Sequence, residues 1–219
     1  MNFAKSLVAA AAIAASCGAN ALVTGSLGGG VGTFAVLSSP TPGVAGTGGT
    51  LSGAVSATIS GGAVYAADMN FADDVVAGEN FLAAGPTPGG FGTANTATLT
   101  FAGAGVSYIS FLWGSPDTFN TLTVNSTGGG SQTFTATGTG FGVAFPFTNG
   151  DQSPIAVQSV QFSAIGTSLI TSLVFTSTQD AFEVARFSVQ SPVPEPETYA
   201  LMLAGLGALG FMSRRRRRS

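Results

Sequence analysis

The 219-residue chain has no histidine, one cysteine and few charges: seven Lys plus Arg and ten Asp plus Glu, 8% of all residues. Without an imidazole, Ser-His-Asp and Cys-His nucleophilic systems, His-ligated zinc or haem, and histidine pH switches are excluded within this chain. So low a charge density beside 45% hydrophobic residues also excludes a disordered polyelectrolyte and a nucleic-acid binder held by a basic surface. What the sequence does carry is an address at each end.

At the N-terminus, Lys5 precedes an apolar run from Leu7 to Ala15, and a small-residue stretch ends Ala19-Asn20-Ala21. A positive n-region, an apolar h-region and an A-x-A site mark a secretory signal peptide, residues 1–21, with cleavage after Ala21. The partners implied are the Sec translocon and signal peptidase. Cys17 lies upstream of that cut, so the mature chain would hold no thiol. Ala14-Ala15-Ser16-Cys17 offers the other reading, a lipoprotein box, with Ala14 where a leucine is usual.

At the C-terminus, Val193-Pro194-Glu195-Pro196 precedes an apolar run from Tyr199 to Met212, and Arg214, Arg215, Arg216, Arg217 and Arg218 close the chain before Ser219. Fourteen apolar residues at about 1.5 Å rise span roughly 21 Å, short of a hydrocarbon core of about 30 Å. Thr198 and Ser213 lengthen the expected membrane helix to 198–213, and arginine stems reach towards headgroups. Positive charge stays on the cytoplasmic side, which puts the preceding domain outside. Pro194 and Pro196 set the start of that helix.

This tripartite tail, residues 191–219, resembles the PEP-CTERM sorting signal of Gram-negative bacteria. The resemblance implies recognition of Pro194, Glu195 and Pro196 by an exosortase, a membrane-embedded cysteine protease that releases or transfers its substrate to the cell surface or matrix. It also implies an association with exopolysaccharide and biofilm. In this reading the chain is a substrate with a transient membrane anchor and has no catalytic role. The arginine run then needs no nucleic acid to explain it.

Between the two ends, eight acids (Asp68, Asp73, Asp74, Glu79, Asp117, Asp151, Asp180, Glu183) face Arg186 alone, a net of −7 that the tail arginines mask in the whole-chain value of −3. An acidic ectodomain disfavours polyanions. Alternation of apolar and polar residues predicts strands at Leu51–Ile59, Thr96–Phe101, Val106–Trp113, Asn120–Ser126, Gln132–Thr137, Ile155–Ser163, Leu169–Thr176 and Ala181–Gln190, with Thr33–Ser38 weaker. Gly/Pro/Asn/Asp clusters separate them, so the expectation for residues 50–190 is an all-β, antiparallel, jelly-roll-like β-sandwich. Only Asp73–Leu82 reads as a short helix. The glycine-rich segment 22–49 is expected to be the less ordered part.

Ser107 to Leu122 contains Trp113-Gly114-Ser115-Pro116-Asp117-Thr118-Phe119-Asn120-Thr121-Leu122, which resembles a W-G-S-x-D-x-[YF]-N-T-L block of one group of exosortase-dependent surface proteins. Ala181-Phe182-Glu183 resembles the same group's A-F-E block, although Ala185-Arg186 stands where that group more often has Asp-Asn. The residues themselves read as a buried strand, a tight turn at Gly114–Asp117 and a return strand. Trp113, with Asp117 and Asn120, is the candidate ligand site of an alternative, lectin-like function; the competing reading makes Trp113 a core anchor.

Without histidine or a retained cysteine, a metal site must use oxygen ligands. Asp68, Asn70, Asp73 and Asp74 put four such side chains in seven residues, a composition suited to calcium but without the spacing or glycine of an EF-hand loop. A solvated acidic loop is the preferred reading of the four. A two-carboxylate glycosidase remains chemically conceivable, but no pair in the sequence identifies one. The expectation is a non-enzymatic, exported surface protein with no cofactor beyond that calcium candidate.

Overall fold

The computed structural model describes residues 23–39, 48–65, 79–86, 95–114, 116–146, 157–179, 181–192, 201–207 and 209. The signal segment with Ala19, Ala21 and Cys17, the calcium candidates Asp68, Asn70, Asp73 and Asp74, the motif Val193 to Pro196 and the arginines Arg214 to Arg218 lie outside the described residues.

Alternation along the chain becomes alternation of burial. In β10 (Asn120–Ser126), Leu122 and Val124 are buried while Thr121, Thr123 and Asn125 stand half-exposed between them. The same pattern runs through β8 (Thr96–Phe101), β11 (Ser131–Thr135), β12 (Val157–Ala164) and β13 (Ile170–Ser177). One face of each strand must therefore leave water, and two sheets meeting face to face achieve this.

One sheet has the order β1 (Val23–Leu27), β12, β9 (Tyr108–Gly114), β14 (Phe182–Gln190), β7 (Phe81–Ala84), β6 (Ala63–Tyr65), with β2 (Thr33–Phe34) also paired to β14. The other has the order β11, β10, β13, β8, β5 (Ala57–Gly61), β4 (Gly49–Ser52), β3 (Val36–Ser38). Every recorded pairing is antiparallel. From β7 to β14 the chain alternates between sheets except at the β10–β11 hairpin, so that β7-β14-β9-β12 faces β8-β13-β10-β11. That is a jelly-roll winding, extended at its flanks by the N-terminal strands.

The core between the sheets is aromatic. Phe111 of β9 touches Phe162 of β12 and Phe175 of β13, each with centroids 5.6 Å apart, and Phe134 of β11 meets Phe162 edge-on at 4.8 Å. Each fully buried phenylalanine contributes on the order of 1.5–3 kcal/mol. A smaller buried cluster of Ala63, Tyr65, Phe81, Ala83, Ala181 and Ala185 lies apart from this core.

Four expectations change. The single strand Leu51–Ile59 is two strands, β4 and β5, folded onto each other with Leu51 opposite Ala57; Gly53, at φ +154°, occupies the intervening bend. Segment 22–49, expected to be the less ordered part, holds β1, β2 and β3 within its described residues 23–39. Asp73–Leu82 is no helix at its described end, because Phe81 and Leu82 open β7. Last, the two strands flanking Gly114–Asp117 join different sheets, so the connection is an arch across the sandwich and not a hairpin.

The Gly61-Gly62 pair explains another unforeseen feature, the passage from β5 in one sheet to β6 in the other. Both have positive φ (+69° and +58°), and an added Cβ would lie 2.3 Å from the Thr96 carbonyl oxygen at Gly61 and 2.6 Å from that of Ala83 at Gly62. Only glycine fits there.

Of the expected membrane helix 198–213, residues 201–207 are helical, with Leu201, Met202, Leu203 and Leu206 exposed. Among the described residues no helix is long and apolar enough to cross a membrane.

Candidate functional site

The W-G-S and A-F-E blocks, about sixty residues apart in sequence, meet at one end of the sandwich. β9 delivers Trp113 inward, and β14 delivers Phe182 beside it; their rings stack with centroids 4.2 Å apart and planes 19° from parallel. Phe145 closes the other side edge-on at 5.4 Å. Trp113 is 0% exposed. No face is left for a sugar.

Asn120 and Asp117 are buried with it. The Asn120 backbone N–H donates to the Asp117 carbonyl at 3.1 Å, which closes the arch. Its side chain spans the two sheets: Nδ2 donates to the Ala181 carbonyl ahead of β14 at 3.4 Å, and Oδ1 lies 2.7 Å from the Ser177 hydroxyl at the end of β13. A buried amide must find partners, and these two happen to belong to opposite sheets. The candidate ligand site Trp113, Asp117, Asn120 is therefore corrected to a structural clasp, because burial denies it a ligand. Among the described residues the Trp113 Nε1 atom has no hydrogen-bond partner, a polar cost carried by the clasp.

At the opposite end, both chain termini of the sandwich converge. Thr24 pairs with Ser163, Ser163 with Tyr108, and Tyr108 with Gln190, in one row across β1, β12, β9 and β14. Three strand spacings of about 4.8 Å put Thr24 and Gln190 roughly 14 Å apart. The Ser107 N–H donates to the Gln190 carbonyl at 3.1 Å and fixes the exit, after which Ser191 and Pro192 are exposed. Val193 follows immediately.

A third locus was not foreseen. β14 bulges between Ala185 and Ser188, and Arg186 there has φ +54°, the only positive φ of a non-glycine residue among those described. Its Nε donates to Glu79 Oε1 at 3.1 Å, with both side chains nearly half exposed (46% and 42%). Around this pair lies a cavity of about 380 Å³ lined by Phe34, Ala35, Val36, Leu37 and Asn80 as well. The sequence signal was Arg186 itself, the only cation between Lys5 and Arg214. Its partners could not be read because β2 and residue 79 reach it only through the fold.

Among the described residues no group of three or more Cys, Asp or Glu is arranged to hold a metal ion. In comparison with known proteins, residues 192–218 match the family model of the PEP-CTERM protein-sorting motif. No curated protein and no solved structure matches the chain.

Proposed function

We propose that this chain, which carries a PEP-CTERM protein-sorting motif at residues 192–218, is an exported substrate of a membrane-embedded sorting protease, processed at its C-terminus to become a non-catalytic cell-surface or matrix protein. The observation that carries the reading is the motif match over 192–218, two exposed residues after the last strand is pinned by Ser107. Sorting needs the recognised segment to reach the membrane while the domain is folded. A short link from a fixed strand end meets that need.

The shared end of β1 and β14 supports the same reading. With a signal peptide before Leu22 and an apolar helix after Pro196, both membrane segments attach to one end of the sandwich. The domain then folds outside without straddling the membrane, and the Trp113 clasp points away from it. The exposed leucines of 201–207 suit a segment whose natural surroundings are lipid. Within this proposal the mature protein acts in an exopolysaccharide-containing matrix or biofilm as a structural element.

The test is substitution within the motif. Pro194→Ala or Glu195→Ala is expected to leave full-length protein in the inner membrane, detected by fractionation and by mass spectrometry of surface-extracted material. Surface protein that still loses its tail in both variants would refute the reading.

A further inference from the structure

Phe34 and Val36 are 64% and 65% exposed, although burial would favour both. Phe34 is held where it is by the backbone: it pairs with Ser188 just past the bulge, and the Ala35 N–H donates to the Phe187 carbonyl at 2.9 Å. Asn80 Nδ2 donates to the Leu37 carbonyl at 2.8 Å and fixes the far wall. An exposed ring, a left-handed arginine and a paired carboxylate thus border one preformed hollow of about 380 Å³, within the size range of small-ligand sites. Strained non-glycine backbone of this kind concentrates where function requires a side chain in a set direction.

We propose that this hollow binds one sugar ring of a neutral glycan, with the apolar face of the ring on Phe34 and its hydroxyls on Arg186 and Glu79. The ion pair uses Nε and Oε1; the remaining guanidinium and carboxylate atoms of Arg186 and Glu79 carry no other hydrogen bond among the described residues. Donors and acceptors therefore stand side by side on a pair with no net charge. Adjacent hydroxyls, each both donor and acceptor, match that array. A sugar carboxylate would face Glu79 and a segment of net charge −7, whereas an uncharged ring meets both members of the pair without repulsion from either. The proposal does not rest on the sorting reading.

The experiment uses the full chain in a non-glycosidic detergent, titrated calorimetrically with cellohexaose, laminarihexaose and, as the anionic probe, a hexameric alginate. Saturable binding of a neutral hexasaccharide is expected, weakened on the order of tenfold or more by Phe34→Ala and by Arg186→Gly, with no alginate binding. Phe34→Ala alters an exposed side chain, so it decides the matter even if Arg186→Gly disturbs the bulge; thermal unfolding monitored on both variants verifies the fold. Absence of neutral-glycan binding, alginate binding as tight as that of the neutral probes, or unchanged affinity in folded Phe34→Ala would overturn the proposal. Tail removal in cells, measured on the same variants, is expected to be unchanged, which separates failure here from failure of the sorting reading.

Discussion

At the scale of single residues, polar and aromatic groups at one end of the sandwich act together. Trp113 is the only tryptophan, so fluorescence reports on it alone. Acrylamide should quench it poorly in the native protein and freely in urea; efficient native quenching would contradict its burial. Asn120→Ala removes the bridge between Ala181 and Ser177 and leaves both without that partner. A loss of about 1–3 kcal/mol in urea denaturation is expected. The Arg186–Glu79 pair behaves differently, because at nearly half exposure an ion pair contributes only about 0–1 kcal/mol. Removing it should hardly shift the unfolding midpoint. Sequence alone offered Trp113, Asp117 and Asn120 as a ligand site, with Trp113 as a core anchor in the competing reading, and it left the choice open, since a turn motif reads alike facing water or buried.

At the scale of elements, most of the legible strands have one wet face, and β9, buried on both faces, was legible as a mostly apolar seven-residue run. β8 and β10 fall on the residues expected, Thr96–Phe101 and Asn120–Ser126, because their alternation survives intact. β6 and β7 were missed because they are only three and four residues long and wholly buried, so neither a period of two nor a long apolar run marks them. β4 and β5 were fused because the alternation continues through Gly53 and hides the turn. Gly61→Val should be among the most damaging substitutions, since it combines a left-handed backbone, costing roughly 1–2 kcal/mol, with a Cβ 2.3 Å from the Thr96 carbonyl. Thermal denaturation would register it as a large fall in Tm. β1 covers the edge of β12. Deleting Val23–Leu27 would expose that edge, and aggregation measured by light scattering is the expected result.

At the scale of the whole molecule, pairings join distant parts of the chain: Val23 with Ala164, Phe34 with Ser188. Such non-local topology predicts slow folding, in milliseconds to seconds, measurable by stopped-flow fluorescence of Trp113. It also brings the two ends of the domain together, and the link Ser191-Pro192 leaves from that shared end. Deleting these two residues shortens the link and removes the first residue of the matched segment; slower tail removal in cells is the expected result, and unchanged processing would show that neither matters. The sequence by itself carried the sorting motif: a Pro-Glu-Pro segment, an apolar run and an arginine cluster are contiguous within residues 192–218, and their chemistry is read in order along the chain. It determined the sandwich as well, because period-two alternation is local. Only the tertiary structure decided that Trp113 is sealed by Phe182, that Phe34 stands beside Arg186, and that β1 and β14 share an end. Each of these depends on which strands become neighbours, and that choice is made by closing two sheets over a single core.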